Sequence, residues 1–394
     1  MKKIKYASQN IDHTDLKSVN KSLQSEFITQ GPNSKIFENH LKKKFKSKYA
    51  VCVSSGTSAL KIAMMSINLS KNDGVIVPAI TFVATINAAK NITKNIIISD
   101  VDPSFGCITK EKLIDALNIA KKRKIKVKCL INVFYAGQTK DLFEIFKICK
   151  QNNILIIEDS CHAIGTNYKV GNNLYKVGSC SHSKVSTFSF HSIKNITTGE
   201  GGCLLTNDKK IFEKARVLRS HGILRDINKK KPWEYDAKFF SENYRITDFQ
   251  CALGISQLKK IEEFKKKKKK FYNFYLKKIK KFKDYFIPLK TEKNNCDPHW
   301  HLFPIIFNKK NLQQRDKLYF FLKSKNINTQ IHYIPLYKHT LYKNLYSRND
   351  YKDTEFFYNR VLSLPFHTKL TKKEINRVIN SINEFIYRIT QNKV

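Results

Sequence analysis

The segment Ile154-Leu155-Ile156-Ile157-Glu158-Asp159-Ser160-Cys161-His162-Ala163 passes directly from an unbroken apolar stretch into charged and polar residues. Apolar residues on both faces predict a buried strand of a mainly parallel sheet. Ligands bind such sheets at the carboxyl ends of their strands. Asp159 therefore stands where a carboxylate could bind a metal, act as a base or hold a positive ring nitrogen, although it could equally cap a helix.

Similar short apolar runs alternate with helical patterns through the first two thirds of the chain. Strands alternating with helices predict an α/β fold with a mainly parallel central sheet and helices on both faces. The other predicted strands cover residues 50–53, 75–77, 96–99, 129–133, 187–190 and 201–206, and the predicted helices include residues 59–68, 111–120 and 142–151.

The pattern changes after about residue 247. A long helical stretch over residues 248–283 is followed by predicted strands at 301–307 and 329–334 and predicted helices at 316–325 and 372–387. We therefore expect a large domain over residues 1–250 and a smaller α+β domain over residues 251–394.

Two further segments carry candidate chemistry. Lys194 lies in the segment 187–202, just after a predicted buried strand and before a glycine-rich turn. Lysines that lose solvation can form Schiff bases, although in so basic a chain Lys194 alone could be an ordinary surface residue. In Val51-Cys52-Val53-Ser54-Ser55-Gly56-Thr57-Ser58-Ala59-Leu60, a strand turns into a helix through small residues. Such a helix start offers backbone N–H groups to a phosphate, or is simply capped.

A phosphate cradle, a carboxylate and a Schiff-base lysine are together what pyridoxal 5'-phosphate (PLP) requires. Further motifs extend this pattern over most of the chain: Thr29-Gln30-Gly31-Pro32, Pro78-Ala79-Ile80-Thr81-Phe82-Val83-Ala84-Thr85, Arg219-Ser220-His221-Gly222 and Asn243-Tyr244-Arg245-Ile246-Thr247-Asp248. With these motifs the chain resembles the DegT/DnrJ/EryC1/StrS family of PLP-dependent sugar aminotransferases. The resemblance implies the aspartate-aminotransferase-like PLP fold type I.

The resemblance also implies roles for individual residues. Lys194 forms the Schiff base and moves the proton, while Asp159 keeps the pyridine nitrogen protonated. Phe82 stacks on the ring and His162 lies near it. Gly56, Thr57 and Ser189 bind the phosphate, and Asn243 reaches the cofactor of the neighbouring subunit, so that a homodimer shares its active sites. Thr29 and His332 are weaker candidates for binding the sugar.

Within the family, the motifs are most similar to the UDP-sugar 4-aminotransferases of pseudaminic acid biosynthesis. The closest are Phe188-Ser189-Phe190-His191, Tyr135-Ala136-Gly137-Gln138 and His332-Tyr333-Ile334-Pro335. This implies glutamate-dependent amination at C4 of a UDP-4-keto-6-deoxy-N-acetylhexosamine. Amination of a dTDP-linked keto sugar at C3 or C4 is the alternative. A PLP-dependent sugar dehydratase is disfavoured by Lys194, because such relatives have histidine there.

The composition bears on whether the chain could instead bind nucleic acid. Lys plus Arg number 73 against 32 for Asp plus Glu, giving a net charge of +41, and a field of that size could attract nucleic acid. The positive charge is spread along the chain, and we interpret its one dense run, Lys265 to Lys270 (the basic run), as a solvated helix face. We expect no nucleic-acid partner.

Cysteine spacing and hydropathy point to an intracellular enzyme. The nine cysteines contain no CxxC pair, and neither Cys161-His162 nor Cys180-Ser181-His182 fits a standard metal site, so we expect reduced thiols and no metal. The basic start of the chain lacks the apolar core of a signal peptide, and no apolar stretch is long enough to span a membrane. We therefore expect a cytoplasmic location.

Overall fold

The computed structural model describes residues 2–224, 231, 233–292 and 294–391. Its strands are β1 (Tyr49–Val53), β2 (Gly74–Pro78), β3 (Ile96–Ser99), β4 (Val127–Val133), β5 (Leu155–Asp159), β6 (Asn167–Val170), β7 (Asn173–Lys176), β8 (Val185–Ser189), β9 (Gly202–Thr206), β10 (Ile223–Leu224), β11 (Asp236–Ala237), β12 (Phe286–Pro288), β13 (Cys296–Asp297), β14 (Phe303–Phe307) and β15 (Val361–Leu364).

A seven-stranded sheet in the order β1-β9-β8-β5-β4-β2-β3 forms the centre of the fold. Within it β2, β3, β4, β5 and β8 pair in parallel, whereas β9 is antiparallel to both β1 and β8. Only β9 therefore runs against the other six strands. The carboxyl ends of β1, β2, β4, β5 and β8 meet at one edge of the sheet, as the parallel pattern in the sequence predicts.

The helices cover the sheet and build the C-terminal third. They are α1 (His13–Leu23), α2 (Pro32–Phe45), α3 (Gly56–Ser66), α4 (Ala84–Lys90), α5 (Lys110–Lys122), α6 (Leu142–Gln151), α7 (Lys209–Leu218), α8 (Asp248–Lys259), α9 (Ile261–Ile279), α10 (Gln314–Ser324), α11 (Lys352–Tyr358) and α12 (Lys372–Gln391). The stretch predicted as one long helix is two helices that meet at Lys260, followed by a 3-10 turn.

A separate apolar core lies in the C-terminal third, where β12, β14 and β15 form a three-stranded antiparallel sheet. Aromatic side chains of α9, including Tyr272 and Tyr275, pack against Phe303 of β14. The apolar residues of α12 belong to the same core. The domain boundary at residue 250 stays a prediction.

The strand predicted at residues 329–334 is wrong. Gln330 exchanges two backbone hydrogen bonds with Ser363, and pairing ends there as an isolated bridge. The carbonyl of His332 instead accepts a hydrogen bond from the buried Tyr135 hydroxyl, at 2.8 Å. The segment leaves the ladder because side chains, not a neighbouring strand, satisfy its polar groups.

The interpretation of the basic run as a solvated face is also wrong for two of its members. The side chains of Lys265 and Lys268 are buried, with 7% and 4% of their surface exposed, whereas the other four lysines of the run are exposed. Both buried lysines lie on the apolar face of α9, with Phe264 and Phe271. Helical periodicity decides which lysines point inward, whatever the local charge density.

Within the stretch from Gly165 to Ser186, β6 and β7 form a hairpin that pairs with β13. None of these described residues lines the cavity presented below. In the part of the chain that the structure describes, no helix is long and apolar enough to cross a bilayer. The nine cysteines are all free thiols.

Candidate active site

A cavity of about 660 Å³ opens at the carboxyl edge of the large sheet. Residues that follow β1, β2, β5 and β8 line it, together with the segment 330–334 from the C-terminal third. A second cavity, of about 590 Å³, lies at the amino ends of β5 and β8 and contains none of the predicted site residues. The first cavity thus occupies the edge at which α/β sheets bind ligands.

Asp159 is the last residue of β5 and is held in place on both carboxylate oxygens. The hydroxyl of Thr85 donates a hydrogen bond to Oδ2 at 2.8 Å, and the backbone N–H of Cys161 donates to Oδ1 at 3.3 Å. The hydroxyl of Thr81 lies 2.8 Å from that of Thr85 and fixes its orientation. The carboxylate is 6% exposed and lines the cavity, so it can receive a positively charged group there.

Lys194 lies five residues after the end of β8, in a turn where its backbone N–H donates to the carbonyl of His191 at 2.9 Å. Its side chain is half-buried and lines the cavity. Loss of water lowers the pKa of the Lys194 amine, against the opposing influence of Cys161 and Asp159. A neutral amine is the form that attacks a carbonyl, so the site favours Schiff-base chemistry.

The start of α3 forms a cradle of backbone N–H groups. Ser55 caps the helix by accepting a hydrogen bond from Ser58 N–H at 3.0 Å, and Gly56 and Thr57 follow as its first residues. A Cβ atom on Gly56 would lie 2.7 Å from Cβ of Ser189, so only glycine fits between the helix start and β8. The positive end of an eleven-residue helix faces the cavity here and suits a phosphate.

His162, Phe82 and Tyr333 form an aromatic wall of the cavity. The Tyr333 hydroxyl and His162 Nε2 are 2.9 Å apart, and the Phe82 and Tyr333 ring centroids are 6.2 Å apart. Burial, followed by the charge of Lys194, lowers the pKa of His162 well below its usual range. The imidazole is therefore neutral. Phe82 is 58% exposed, so its ring face is open to a ligand.

His332 lines the same cavity with Nδ1 3.0 Å from the Ser363 hydroxyl. Burial and the charge of Lys194 lower its pKa to about 3. Thr29 and Asn243 do not line this cavity. Both are exposed; Thr29 bridges to Thr247, and Asn243 Oδ1 accepts a hydrogen bond from the N–H of Arg245 at 3.1 Å. The structure thus brings together all the predicted residues except these two.

Sequence reasoning missed Thr85, Tyr333 and His301. The ring of His301 lies 4.4 Å from that of His162, and its Nδ1 lies 3.4 Å from Asn195 Oδ1. Thr85 and Tyr333 stand within quoted motifs, but their partners lie 74 and 171 residues away along the chain. No local pattern predicts contacts of that range.

The residues present fit PLP. The glycine cradle suits its phosphate, the Asp159 carboxylate suits its ring nitrogen, and the lowered pKa of Lys194 suits its aldehyde. His162 Nδ1 is buried without a hydrogen-bond partner, which leaves a donor or acceptor for a bound molecule. Within the described ranges, no group of three or more metal-ligating side chains comes together.

Comparison with known proteins agrees with this geometry. The model of the DegT/DnrJ/EryC1/StrS aminotransferase family matches residues 9–383. The chain is 34% identical over 390 residues to the UDP-4-amino-4,6-dideoxy-N-acetyl-beta-L-altrosamine transaminase of Helicobacter pylori, with 97% of each chain covered.

Solved structures superpose over nearly the whole chain. Helicobacter pylori PseC, an aminotransferase involved in the biosynthesis of pseudoaminic acid, matches with a TM-score of 0.87 and 31% identity, covering 98% of this chain and 99% of its own. Spr1654 of Streptococcus pneumoniae in its PLP form matches with a TM-score of 0.88 and 25% identity, covering 98% and 100%. Aminotransferases of this family use PLP, and this chain is one of them. The protein belongs to the DegT/DnrJ/EryC1/StrS aminotransferase family.

Proposed function

We propose that this enzyme moves the amino group of glutamate to C4 of a UDP-linked 4-keto-6-deoxy-N-acetylhexosamine, as a step in making a pseudaminic acid-type surface sugar. The observation that carries the proposal is the cavity in which Lys194, Asp159 and the Gly56 cradle meet. The substrate class is supported by the Helicobacter pylori transaminase, which matches over 97% of the chain.

We assign the roles of the residues by their positions. PLP, when bound, supplies the electron sink for breaking the bond to the donor's α-hydrogen. Gly56, Thr57 and Ser189 would hold its phosphate, and Phe82 would pack against its ring. Asp159, fixed by Thr85, keeps its ring nitrogen protonated. The Lys194 amine would hold the cofactor through its aldehyde and, as a free amine, would move the proton taken from the donor's α-carbon.

The neutral His162–Tyr333 pair lines the same cavity as Lys194. Neither ring carries a charge at neutral pH, because burial lowers the pKa of His162 and raises that of Tyr333. Together with His332 they orient the keto sugar through hydrogen bonds and exclude water, leaving the proton transfers to Lys194.

We also propose that each active site is shared by two copies of the chain, with Asn243 reaching the cofactor phosphate of the partner. Asn243 is exposed and lies outside its own cavity. The segment just before it exposes Trp233, Tyr235 and Phe240, which are 74%, 57% and 90% accessible. Exposed aromatic groups this close together are typical of a surface that another protein covers.

The substrate is tested with the purified enzyme, PLP and glutamate against a panel of UDP- and dTDP-linked keto sugars, with products identified by mass spectrometry and the aminated carbon by NMR. We expect a UDP-linked 4-amino product and 2-oxoglutarate. A preference for a dTDP-linked sugar, or amination at C3, would refute the assignment of the substrate. Loss of amino-group transfer with every sugar would refute the function itself.

A further inference from the structure

Lys268 is a buried amine behind the active site with no acidic partner in the described ranges. It lies on α9, and its Nζ donates a hydrogen bond to Asn195 Oδ1 at 2.8 Å, with the carbonyl of His301 at 3.5 Å. Its Nζ also lies 5.1 Å from the centre of the Phe366 ring. The adjacent Lys267 is exposed. Burying an ammonium group with only neutral partners is costly, so this position calls for a physical reason.

The titratable groups that face Lys268 are cations or neutral imidazoles. Burial is the first cause that lowers the pKa of each of these imidazoles. The groups are Lys194, His162, His299, His301 and His367.

Three carboxylates in this part of the fold are engaged with other groups. Asp297 pairs with Lys265 at 2.7 Å and with Lys269, Asp159 accepts from Thr85, and Glu374 accepts from Thr371 at the start of α12. A charge on Lys268 is therefore balanced by no described acid.

Two connections join Lys268 to Lys194. The first is covalent and short, because Asn195 follows Lys194 in the chain. Asn195 is held from both ends, since its Oδ1 accepts from Lys268 and its Nδ2 donates to the carbonyl of His299 at 2.9 Å. The second is electrostatic. After burial, the charge of Lys194 is the other cause that lowers the pKa of Lys268, to about 7. The interaction is mutual, so a charge on Lys268 equally disfavours one on Lys194.

We propose that Lys268 is a positioning residue that keeps the Lys194 amine unprotonated and correctly oriented at neutral pH, by repelling a second positive charge and by holding Asn195. The proposal rests on the Schiff-base role of Lys194. A charge on Lys268 thus favours the neutral form of the Lys194 amine, which is the nucleophile.

A purely structural role makes a different prediction. If Lys268 only anchors Asn195, its loss disturbs packing but leaves the proton affinity of Lys194 unchanged. The pH dependence of cofactor attachment separates the two roles. This readout does not depend on turnover.

The test uses apoenzyme mixed with PLP, with Schiff-base formation followed by absorbance between pH 6 and 10. The variants are Lys268→Met, Lys268→Gln and the exposed control Lys267→Met. We expect the midpoint of the rate profile to rise by about one pH unit in both Lys268 variants, which makes the neutral amine about tenfold scarcer at neutral pH. The control should match the wild type. Folded Lys268 variants with an unshifted midpoint would overturn the proposal.

A second measurement needs no substitution at Lys268. In apoenzyme labelled with ¹³C at the lysine ε-carbon, one buried lysine should titrate near neutral pH. In Lys194→Ala its midpoint should move to higher pH, because the repelling charge is gone; an unmoved midpoint would also overturn the proposal. Borohydride reduction and peptide mapping distinguish a failure of the proposed role of Lys194 from a failure of the proposed role of Lys268. A label on another lysine defeats the role of Lys194, whereas a label on Lys194 with unshifted midpoints defeats the role of Lys268 alone.

Discussion

Glu158 offers a quantitative test of how the central sheet balances a buried charge. It precedes Asp159 in β5 and points to the opposite face, because successive strand residues alternate. Its side chain is 2% exposed, and its Oε2 has no hydrogen-bond partner. Burial raises its pKa to about 7, against smaller opposing contributions from the hydroxyls of Ser186 and Ser183. We predict that Glu158→Gln changes the pH dependence of stability in a defined direction.

The sign follows from proton binding. Between the unfolded pKa of about 4.5 and the folded pKa of about 7, the folded chain holds a proton that the unfolded chain releases. Raising the pH through this window therefore destabilises the wild type, by about 1.4 kcal/mol per unit and about 3 kcal/mol in total. Glutamine does not titrate. The difference in free energy of unfolding, variant minus wild type, should grow by that amount from pH 4.5 to 7 and then stay constant.

The measurement is urea denaturation of the apoenzyme at pH steps from 4.5 to 8.5, with the variant and wild type at equal concentration. The exposed Glu263→Gln serves as the matched control for the loss of a carboxylate. Comparing differences removes the titration of all other groups. A flat difference for Glu158→Gln would show that Glu158 stays ionised when folded, and a decreasing one would show that an unrecognised cation stabilises it.

The other predictions concern the proposed site. Lys194→Ala should lose both transamination and the borohydride-reducible link to PLP, and peptide mapping of the wild type should find the label on Lys194 only. Asp159→Asn should keep the fold and bind PLP but lower turnover by about two orders of magnitude, because an amide cannot stabilise a protonated ring nitrogen; near-normal turnover of the loaded variant contradicts this. Mixing inactive Lys194→Ala with impaired Asn243→Ala under subunit exchange should restore activity, since one site of the mixed dimer is then intact; a verified mixed dimer without recovery rules out sharing. Replacing the four exposed lysines of the basic run with Gln should leave turnover nearly unchanged at physiological salt, where distant charges are screened beyond about 8 Å; a collapse of activity in the folded variant would make that face functional.

The central sheet and one side of the candidate site could be predicted from the sequence because both depend on local patterns. Strands β2, β4 and β5 carry apolar residues on both faces, which indicates parallel pairing between helices, and β8 is buried along its whole length. Parallel pairing alone brings their carboxyl ends to one edge, and so places Asp159 and Lys194 in one cavity. The sequence therefore indicates which reactive side chains lie at this edge, because they stand at or just after the ends of the strands.

The other side of the site could not be predicted, because it depends on contacts between distant segments. Tyr333 meets His162 across 171 residues, and the predicted strand at 329–334 gave no reason to expect it. Asn243 depends on a second copy of the chain for its proposed role. The single chain shows it exposed and bonded to its own backbone at Arg245. For such residues, the resemblance to a family motif indicates that they belong to a site, whereas the local sequence pattern does not.

The basic run shows how charge density can obscure helical periodicity. Read as composition, six consecutive lysines indicate a solvated face. Read by position, the apolar residues of α9 at 261, 264, 271, 272, 275 and 279 define one stripe along the helix, and that stripe passes through positions 265 and 268. Lysine at those two positions must be buried if the helix is to cover its core.

Lys265 finds a carboxylate in Asp297, so its charge is paired. Among the described residues, Lys268 finds an amide, a carbonyl and an aromatic ring but no carboxylate, which is why we propose that its charge acts on Lys194. The same periodicity that hides Lys268 from solvent places it against the turn that carries Lys194.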